Sequence, residues 1–298
     1  MVRKATQKHG RLLHILFRTL VLLFFALAVS CRATGVTQIS EHPGQEQVLP
    51  PKITIVNWNA QKGINPQLKS DLWLLIEEQR PDFVFLQEAR ADLLESNQIG
   101  GYFARSWKYP WANGTTIGVL TLSKVPPVRV QPVPTKYREF FITAPKVSLI
   151  TEYPLPNGER LLAVNVHLLT FERWGTMKIR AQLDALKDIM AEHSGPIVFA
   201  GDFNTWNHKR LGLVQELAED LQLVEVTDFP PGRHTADRQS SCLNWFFGID
   251  KDLPLDRVYY RGFSYHTARV LSYDSSDHRA ILVTLVLEPG RERLGTKD

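Results

Sequence analysis

Cysteine is nearly missing from this chain of 298 residues. The two present, Cys31 and Cys242, are too few for a disulfide framework and lack the spacing of a zinc site. No Gly-x-Ser-x-Gly elbow and no glycine-rich phosphate loop occurs, so neither of those catalytic motifs is available. Internal repeats, low-complexity tracts and a second linker are also lacking. The uncharged run Thr19–Val29 is eleven residues long, short of the roughly 20 that a membrane span needs. Finally, the folded part lacks an excess of one charge. The formal charge is +4, but Arg3, Lys4, Lys8, Arg11 and Arg18 stand before residue 31 with no acid among them. With those five set aside, 30 basic residues face 31 acidic ones, which gives no global basic field to attract nucleic acid.

What is present begins with an export signal. A positive region, Arg3 to Arg18, precedes the apolar run, and small residues follow, the order of a secretory signal. Leu27-Ala28-Val29-Ser30-Cys31 resembles the lipobox of bacterial lipoproteins, in which cleavage before the cysteine leaves it lipid-modified. Residues 1–31 are therefore expected to be a signal or anchor that places the protein in the cell envelope, held through Cys31. A single-pass anchor starting near Leu12, or a secreted product, are the alternatives. Residues 32–51 contain three prolines and little apolar periodicity and predict a flexible tether. One domain is then expected over 52–298, with hydrophobic content of 44% ample for its core.

Strand patterns recur at Ile53–Asn59, Phe83–Gln87, Thr115–Ser123, Val147–Tyr153, Leu161–His167, Ile197–Asp202, Arg257–Tyr260, Arg269–Leu271 and Ala280–Leu287. Pro156-Asn157-Gly158 predicts a hairpin turn. Helical spacing occurs in Gln67–Gln79, Met177–His193 and Lys209–Leu221, with Leu183, Leu186, Ile189 and Met190 forming a packing stripe. The combination predicts a mixed α/β fold of two stacked sheets flanked by helices.

Five polar motifs stand out: Asn57-Trp58-Asn59, Leu86-Gln87-Glu88, Val164-Asn165-Val166-His167, Gly201-Asp202-Phe203-Asn204 and Ser276-Asp277-His278. Four of them end an apolar run, where a polar side chain is costly unless a partner, metal or substrate satisfies it. Asp202 and Asn204, two apart on a strand, point to the same side and can face one substrate. His278 can share a proton near neutral pH, and Asp256 is a better group to orient it than the adjacent Asp277. Glu88, with Asn59 beside it, suits Mg²⁺, which takes one or two carboxylates and keeps its waters. Each motif alone also has an ordinary reading as a cap, a turn or a packed side chain.

Together and in this order, the motifs resemble the endonuclease/exonuclease/phosphatase superfamily, which includes DNase I-like nucleases, neutral sphingomyelinases and inositol polyphosphate 5-phosphatases. The resemblance covers residues 52–287, and the region of Leu255-Asp256 through Gly262 looks closest to the bacterial YafD-like branch. It implies a four-layer sandwich and a Mg²⁺-dependent phosphodiesterase or phosphatase, with Mn²⁺ an alternative ion. Asn59 and Glu88 would hold the metal, Asp202 would activate water, and Asn204 and His167 would contact the phosphate. His278, paired to Asp256, would stabilise the transition state, and Asp277 would support the metal side. Two departures weaken a DNA-repair reading: Gln61 stands where many abasic-site endonucleases carry an acid, and Arg180 and Gln182 break the usual Arg-x-x-Gln spacing.

The expected substrate is a phosphoester in nucleic acid, a phospholipid or a small phosphodiester, acted on by a monomer. A secreted DNase I-type nuclease and a non-catalytic binding module on the same scaffold remain rival readings. Trp174, Trp206 and Trp245, with Phe246 and Phe247, could contact a membrane or stack on bases. Labelled palmitate should enter the wild-type protein and not Cys31→Ser; equal labelling of both would remove the lipid anchor.

Overall fold

Strands that are covered on both faces have no reason to alternate, and the central strands here read as near-continuous apolar runs. In the computed structural model, which describes residues 35–44, 46–93, 99–108, 116–138, 145–172, 175–229 and 253–289, thirteen strands form two sheets. The chain order is β1 (Val36–Ser40), β2 (Lys52–Asn59), α1 (Leu68–Gln79), β3 (Phe83–Arg90), β4 (Gly100–Lys108), β5 (Thr116–Ser123), β6 (Arg129–Pro134), β7 (Val147–Pro154) and β8 (Arg160–His167). It continues with α2 (Met177–Ala191), β9 (Ile197–Asp202), α3 (His208–Asp220), β10 (Val224–Glu225), β11 (Asp256–Arg261), β12 (Phe263–Leu271) and β13 (Ala280–Leu287). The first sheet has the order β1-β4-β5-β3-β2-β13-β12 and the second β10-β11-β9-β8-β7-β6. Among the described residues, only β2 with β3 and β8 with β9 pair in parallel.

Three apolar layers result. Between the sheets, Ile53, Ile55, Phe83 and Phe85 meet Tyr153, Leu161, Ala163, Val198 and Val258. Outside the second sheet, Leu162, Val164 and Phe199 pack on Ile179, Leu183, Leu186 and Met190 of α2 and on Val214 and Leu217 of α3. Outside the first, Val56, Trp58, Val84 and Leu282 pack on Leu68, Leu72, Leu75 and Ile76 of α1. The fold is a DNase I-like α/β sandwich, as the strand and helix pattern predicts.

Two parts of the pattern reading need correction. Residues 36–40, assigned to a flexible tether, are a strand, with Val36 opposite Ala104 and Ser40 opposite Gly101. Edge pairing uses backbone groups, so Val-Thr-Gln-Ile-Ser needs no strong apolar pattern to join. Further along, Leu49 is buried and its N–H donates to Pro154 O at 3.0 Å. The compact unit accordingly starts at Gly35 and not at Lys52. Strands β4, β6 and the two-residue β10 are also absent from the sequence reading; Pro132 and Pro134 in β6 are tolerated because β6 is an edge. The signal segment, Cys31 and Cys242 lie outside the described residues.

Along the inner faces the chemistry changes toward one end. Beyond the apolar layer comes a buried polar one, in which Gln87 Nε2 donates to Asn57 Oδ1 at 2.8 Å and to Asn165 Oδ1 at 2.9 Å. Asn165 Nδ2 in turn donates to Leu120 O at 3.0 Å and Thr121 Oγ1 at 3.2 Å. This layer joins the two sheets by side-chain hydrogen bonds. Asn165→Ala should lower the unfolding free energy by about 2 kcal/mol or more, because it strands buried partners. Urea denaturation showing a loss below about 0.5 kcal/mol would mean that the layer does not hold the sheets together.

Candidate active site

One residue pair beyond the polar layer, the strand ends place charged groups between the sheets. His167 lies beside Asp202 in the parallel pairing of β8 and β9, and Asp256 lies opposite Asp202 across β9 and β11. Asn59 ends β2 beside Gln87. Glu88 follows in a bulge of β3, where the register against β5 shifts between Leu86 and Ala89 and Glu88 takes φ +47°. Such a bulge re-aims a side chain that strand alternation would send elsewhere. Gly201 is required for the approach of β9 to β8: at φ +153°, a Cβ there would stand 1.9 Å from Val166 O.

The centre is a His–Asp pair. His278 Nδ1 lies 2.6 Å from Asp256 Oδ2, and Asp256 Oδ1 has no hydrogen-bond partner. Burial works against a charged imidazole, but Asp256, then Asp202 and Asp277, outweigh it and raise the His278 pKa to about 10. The imidazolium therefore persists at neutral pH. Its position is set from the backbone: Trp58 Nε1 donates to His278 O at 2.9 Å, and His278 N donates to Ser276 Oγ at 3.1 Å. His278 Nε2 points to Asp202, whose Oδ2 is 4.0 Å away. That carboxylate is fixed by Asn59 Nδ2 donating to Oδ2 at 2.8 Å and by the Asn204 N–H donating to Oδ1 at 2.9 Å.

A second cluster surrounds Glu88. Lys62 Nζ is 2.8 Å from Oε2, Lys146 Nζ 3.6 Å from Oε1, and His167 Nε2 3.9 Å from Oε1. Burial would raise the Glu88 pKa, yet Lys146, His167 and Lys62 bring it down to about 2. Burial and the Lys146 ammonium lower His167 to about 3, against the pull of Asp202 and Glu88. With His167 neutral, the two lysines carry the effect on Glu88. Lys146 Nζ lies 3.0 Å from His167 Nε2; an ammonium only donates, so that nitrogen accepts and the ring proton sits on Nδ1.

These donors suit a hard divalent cation. Glu88 offers an ionised carboxylate, and the Lys62 ammonium already stands where a cation would sit. Asn59 spends its amide N–H on Asp202, which leaves its Oδ1, now accepting the Gln61 N–H at 3.0 Å, as the second oxygen. Oxygen donors of this kind fit Mg²⁺ or Mn²⁺. Among the described residues, no group of three or more His, Cys, Asp or Glu is arranged to hold a metal. A bound ion would depend on Glu88, Asn59 and water.

The structure thus gathers Asn59, Glu88, His167, Asp202, Asp256 and His278 into one place. Asn204 differs from expectation in detail. Strand β9 ends at Asp202, so the two-residue parity argument does not apply; Asn204 has φ +49° and its Nδ2 donates to Leu168 O at 3.0 Å. Its Nδ2 thereby braces the loop after β8. Asp277 is exposed, and its backbone N–H donates to Gln61 Oε1 at 3.3 Å. Sequence reasoning missed Lys62 and Lys146, whose position depends on loops without a motif. It also undervalued Gln182, which accepts from Leu169 N and donates to His167 O, each at 3.0 Å. Trp206 is packed, with Nε1 donating to Thr170 O at 2.8 Å and Arg210 over its ring. Trp174, Trp245, Phe246 and Phe247 lie outside the described residues.

A two-sheet sandwich with a His–Asp pair and carboxylates at shared strand ends defines a phosphoesterase or nuclease-like hydrolase. The chain belongs to the endonuclease/exonuclease/phosphatase family, whose model matches residues 56–278. Members of this family are phosphoester hydrolases and generally use divalent metals. A UPF0294 protein of Vibrio parahaemolyticus is 32% identical over 238 residues, 79% of this chain and 78% of that one. Such relatives are the YafD-like branch; three others are matched over 60%, 48% and 58% of their own length. An endonuclease/exonuclease/phosphatase from Bacteroides vulgatus shares the fold, with TM-score 0.61 and 14% identity over 80% of this chain and 99% of that one. ANGEL2, a 2′,3′-cyclic phosphatase, does so with TM-score 0.58 and 16% identity over 80% and 96%.

A histidine whose pKa is raised on folding, from 6.5 to about 10, adds stability that is complete below 6.5 and lost as pH rises through 10. In EDTA, the stability advantage of wild type over Asp256→Asn should therefore be fullest near pH 6 and fade by about pH 10. An advantage that stays constant over that range, measured by urea unfolding, would show that His278 is not held as a cation.

Proposed function

We propose that this chain hydrolyses phosphoesters with an activated water, aided by Mg²⁺ or Mn²⁺, and works at the cell envelope on an amino-terminal anchor. The observation that carries the chemistry is the 2.6 Å contact of His278 with Asp256, with Asp202 facing the other imidazole nitrogen. The anchor rests on the basic, apolar and small-residue order before Cys31.

Each side chain then has a definite task. Asp202 Oδ2, 3.8 Å from His167 Nε2 and 4.0 Å from His278 Nε2, orients a water and takes its proton as the oxygen attacks phosphorus. Asn59 and the Asn204 N–H keep that carboxylate aimed. As the bond to the leaving oxygen breaks, the His278 Nε2–H donates a hydrogen bond to a phosphoryl oxygen, where negative charge grows, and the leaving alkoxide takes its proton from bulk water. Asp256 keeps this proton donor charged and orients it. Lys146, next to His167 and Glu88, adds a fixed positive charge on the opposite side. When bound at Glu88 and Asn59, a divalent cation supplies charge against the phosphoryl oxygens.

His278→Ala and Asp202→Asn should each reduce turnover of bis(p-nitrophenyl) phosphate by about 100-fold or more with the fold intact by circular dichroism. EDTA should abolish turnover, and Mg²⁺ or Mn²⁺ should restore it. Rates near wild type in both variants would sink the assignment.

A further inference from the structure

We infer that the mouth of the site faces the membrane surface and that its substrate is a phosphoester carried by a lipid. The inference rests on the anchored-hydrolase reading above and names the substrate class for the same site. Its basis is the place where the chain enters the fold. Arg105 N donates to Gly35 O at 3.2 Å. Arg105 pairs with Gly118, and Gly118 with Ala89, the residue after Glu88. Gly35 therefore lies level with the bulge that carries Glu88, three strands away across the sheet, or about 14 Å. From there β1 runs away from the mouth, toward Ser40 opposite Gly101.

Covalent reach does the rest. The four steps from Cys31 to Gly35 span at most about 14 Å when fully extended. An anchor at an acylated Cys31 keeps this entry point near the bilayer, and an uncleaved apolar helix ending near Val29 adds only about 7 Å. Turning the opposite end of the sandwich to the membrane would require the chain to run back along β1 and β4, and those residues are already paired.

The mouth rim suits such a surface. Ile64, Phe171 and Met177 are exposed on segments leaving the carboxyl ends of β2 and β8. Lys136 and Arg138 follow β6, which ends at the same level opposite Val147. Apolar side chains with nearby cations favour an anionic lipid interface. The opposite end also exposes Val48, Val128 and Val224, so apolar exposure alone does not choose between the ends. The entry point of the chain does.

The test uses the full acylated chain, with Cys242→Ser, in vesicles of phosphatidylethanolamine and phosphatidylglycerol. A fluorophore is placed at Ile64→Cys on the rim or at Asn157→Cys in the opposite hairpin, with a quencher in the lipid headgroups. The expected result is flotation with the vesicles and several-fold stronger quenching at position 64. Equal or reversed quenching on a floating chain would overturn the orientation while leaving the anchor in place; failure to float would overturn both. A hexadecyl p-nitrophenyl phosphate in the same vesicles tests the substrate class. Inserting about twenty Gly/Ser residues before Gly35 should slow its turnover about tenfold or more, with soluble bis(p-nitrophenyl) phosphate unaffected. Unchanged turnover of the lipid ester after the insertion would overturn the role of the entry point, and a parent protein that hydrolyses bis(p-nitrophenyl) phosphate but not the lipid ester would overturn the substrate class. Loss of both activities in the parent protein would refute the hydrolase reading, which the quenching result does not address.

Discussion

The hydrogen-bonded layer of Asn57, Gln87, Asn165 and Thr121 is the constraint on which the site depends. Apolar contact between the sheets has no preferred register, because it is non-directional. Carboxamide bonds have one. Gln87 on β3 can reach both Asn57 on β2 and Asn165 on β8 only at one offset of the two sheets. Two residues further along the same strands stand Asn59 and His167, so the offset that forms these bonds also brings Asn59 Nδ2 to Asp202 Oδ2 at 2.8 Å. Buried polar groups of this kind are costly when unpaired, and that cost makes the alignment specific.

The site itself opposes stability. Gln61, Lys62, Glu88 and Asn204 all have positive φ, a conformation that costs a non-glycine residue roughly 1–2 kcal/mol. Four charged side chains, Glu88, Asp202, Asp256 and His278, are wholly or largely buried. The charges offset one another in pairs, Asp256 against His278 and Glu88 against Lys62 and Lys146. The strained residues are held by the sheets at either side. Strain and buried charge concentrated at one end of a well-packed sandwich mark it as the working end.

The sandwich was legible in the sequence because its central strands are apolar on both faces, and the candidate site groups because they interrupt those runs. Asp256 was the better candidate to orient His278 than the adjacent Asp277, and the structure places its Oδ2 2.6 Å from Nδ1. What stayed hidden has a common cause. Strands β1 and β6 are held at the edges through their backbones, so their side chains carry little pattern. Lys62 and Lys146 are brought to Glu88 by loops whose course depends on tertiary packing. The parity argument for Asn204 fails because β9 ends at Asp202, two residues earlier. Local pattern reports what a regular element buries, and it is silent where the backbone or a loop does the positioning.

The segment first taken for a tether shows how far that limit matters. By pairing with β4 it takes the edge of the first sheet, so that a strand of five residues stands there in place of the longer β4. Its continuation then lays His42 against Gly100, where a Cβ would stand 2.3 Å from the imidazole, and buries Leu49 beside the second sheet through the bond to Pro154 O. One stretch of about fifteen residues thus ties both sheets together before the core strands begin. A docked strap fixes the point at which Gly35 enters the sandwich, level with the bulge that carries Glu88.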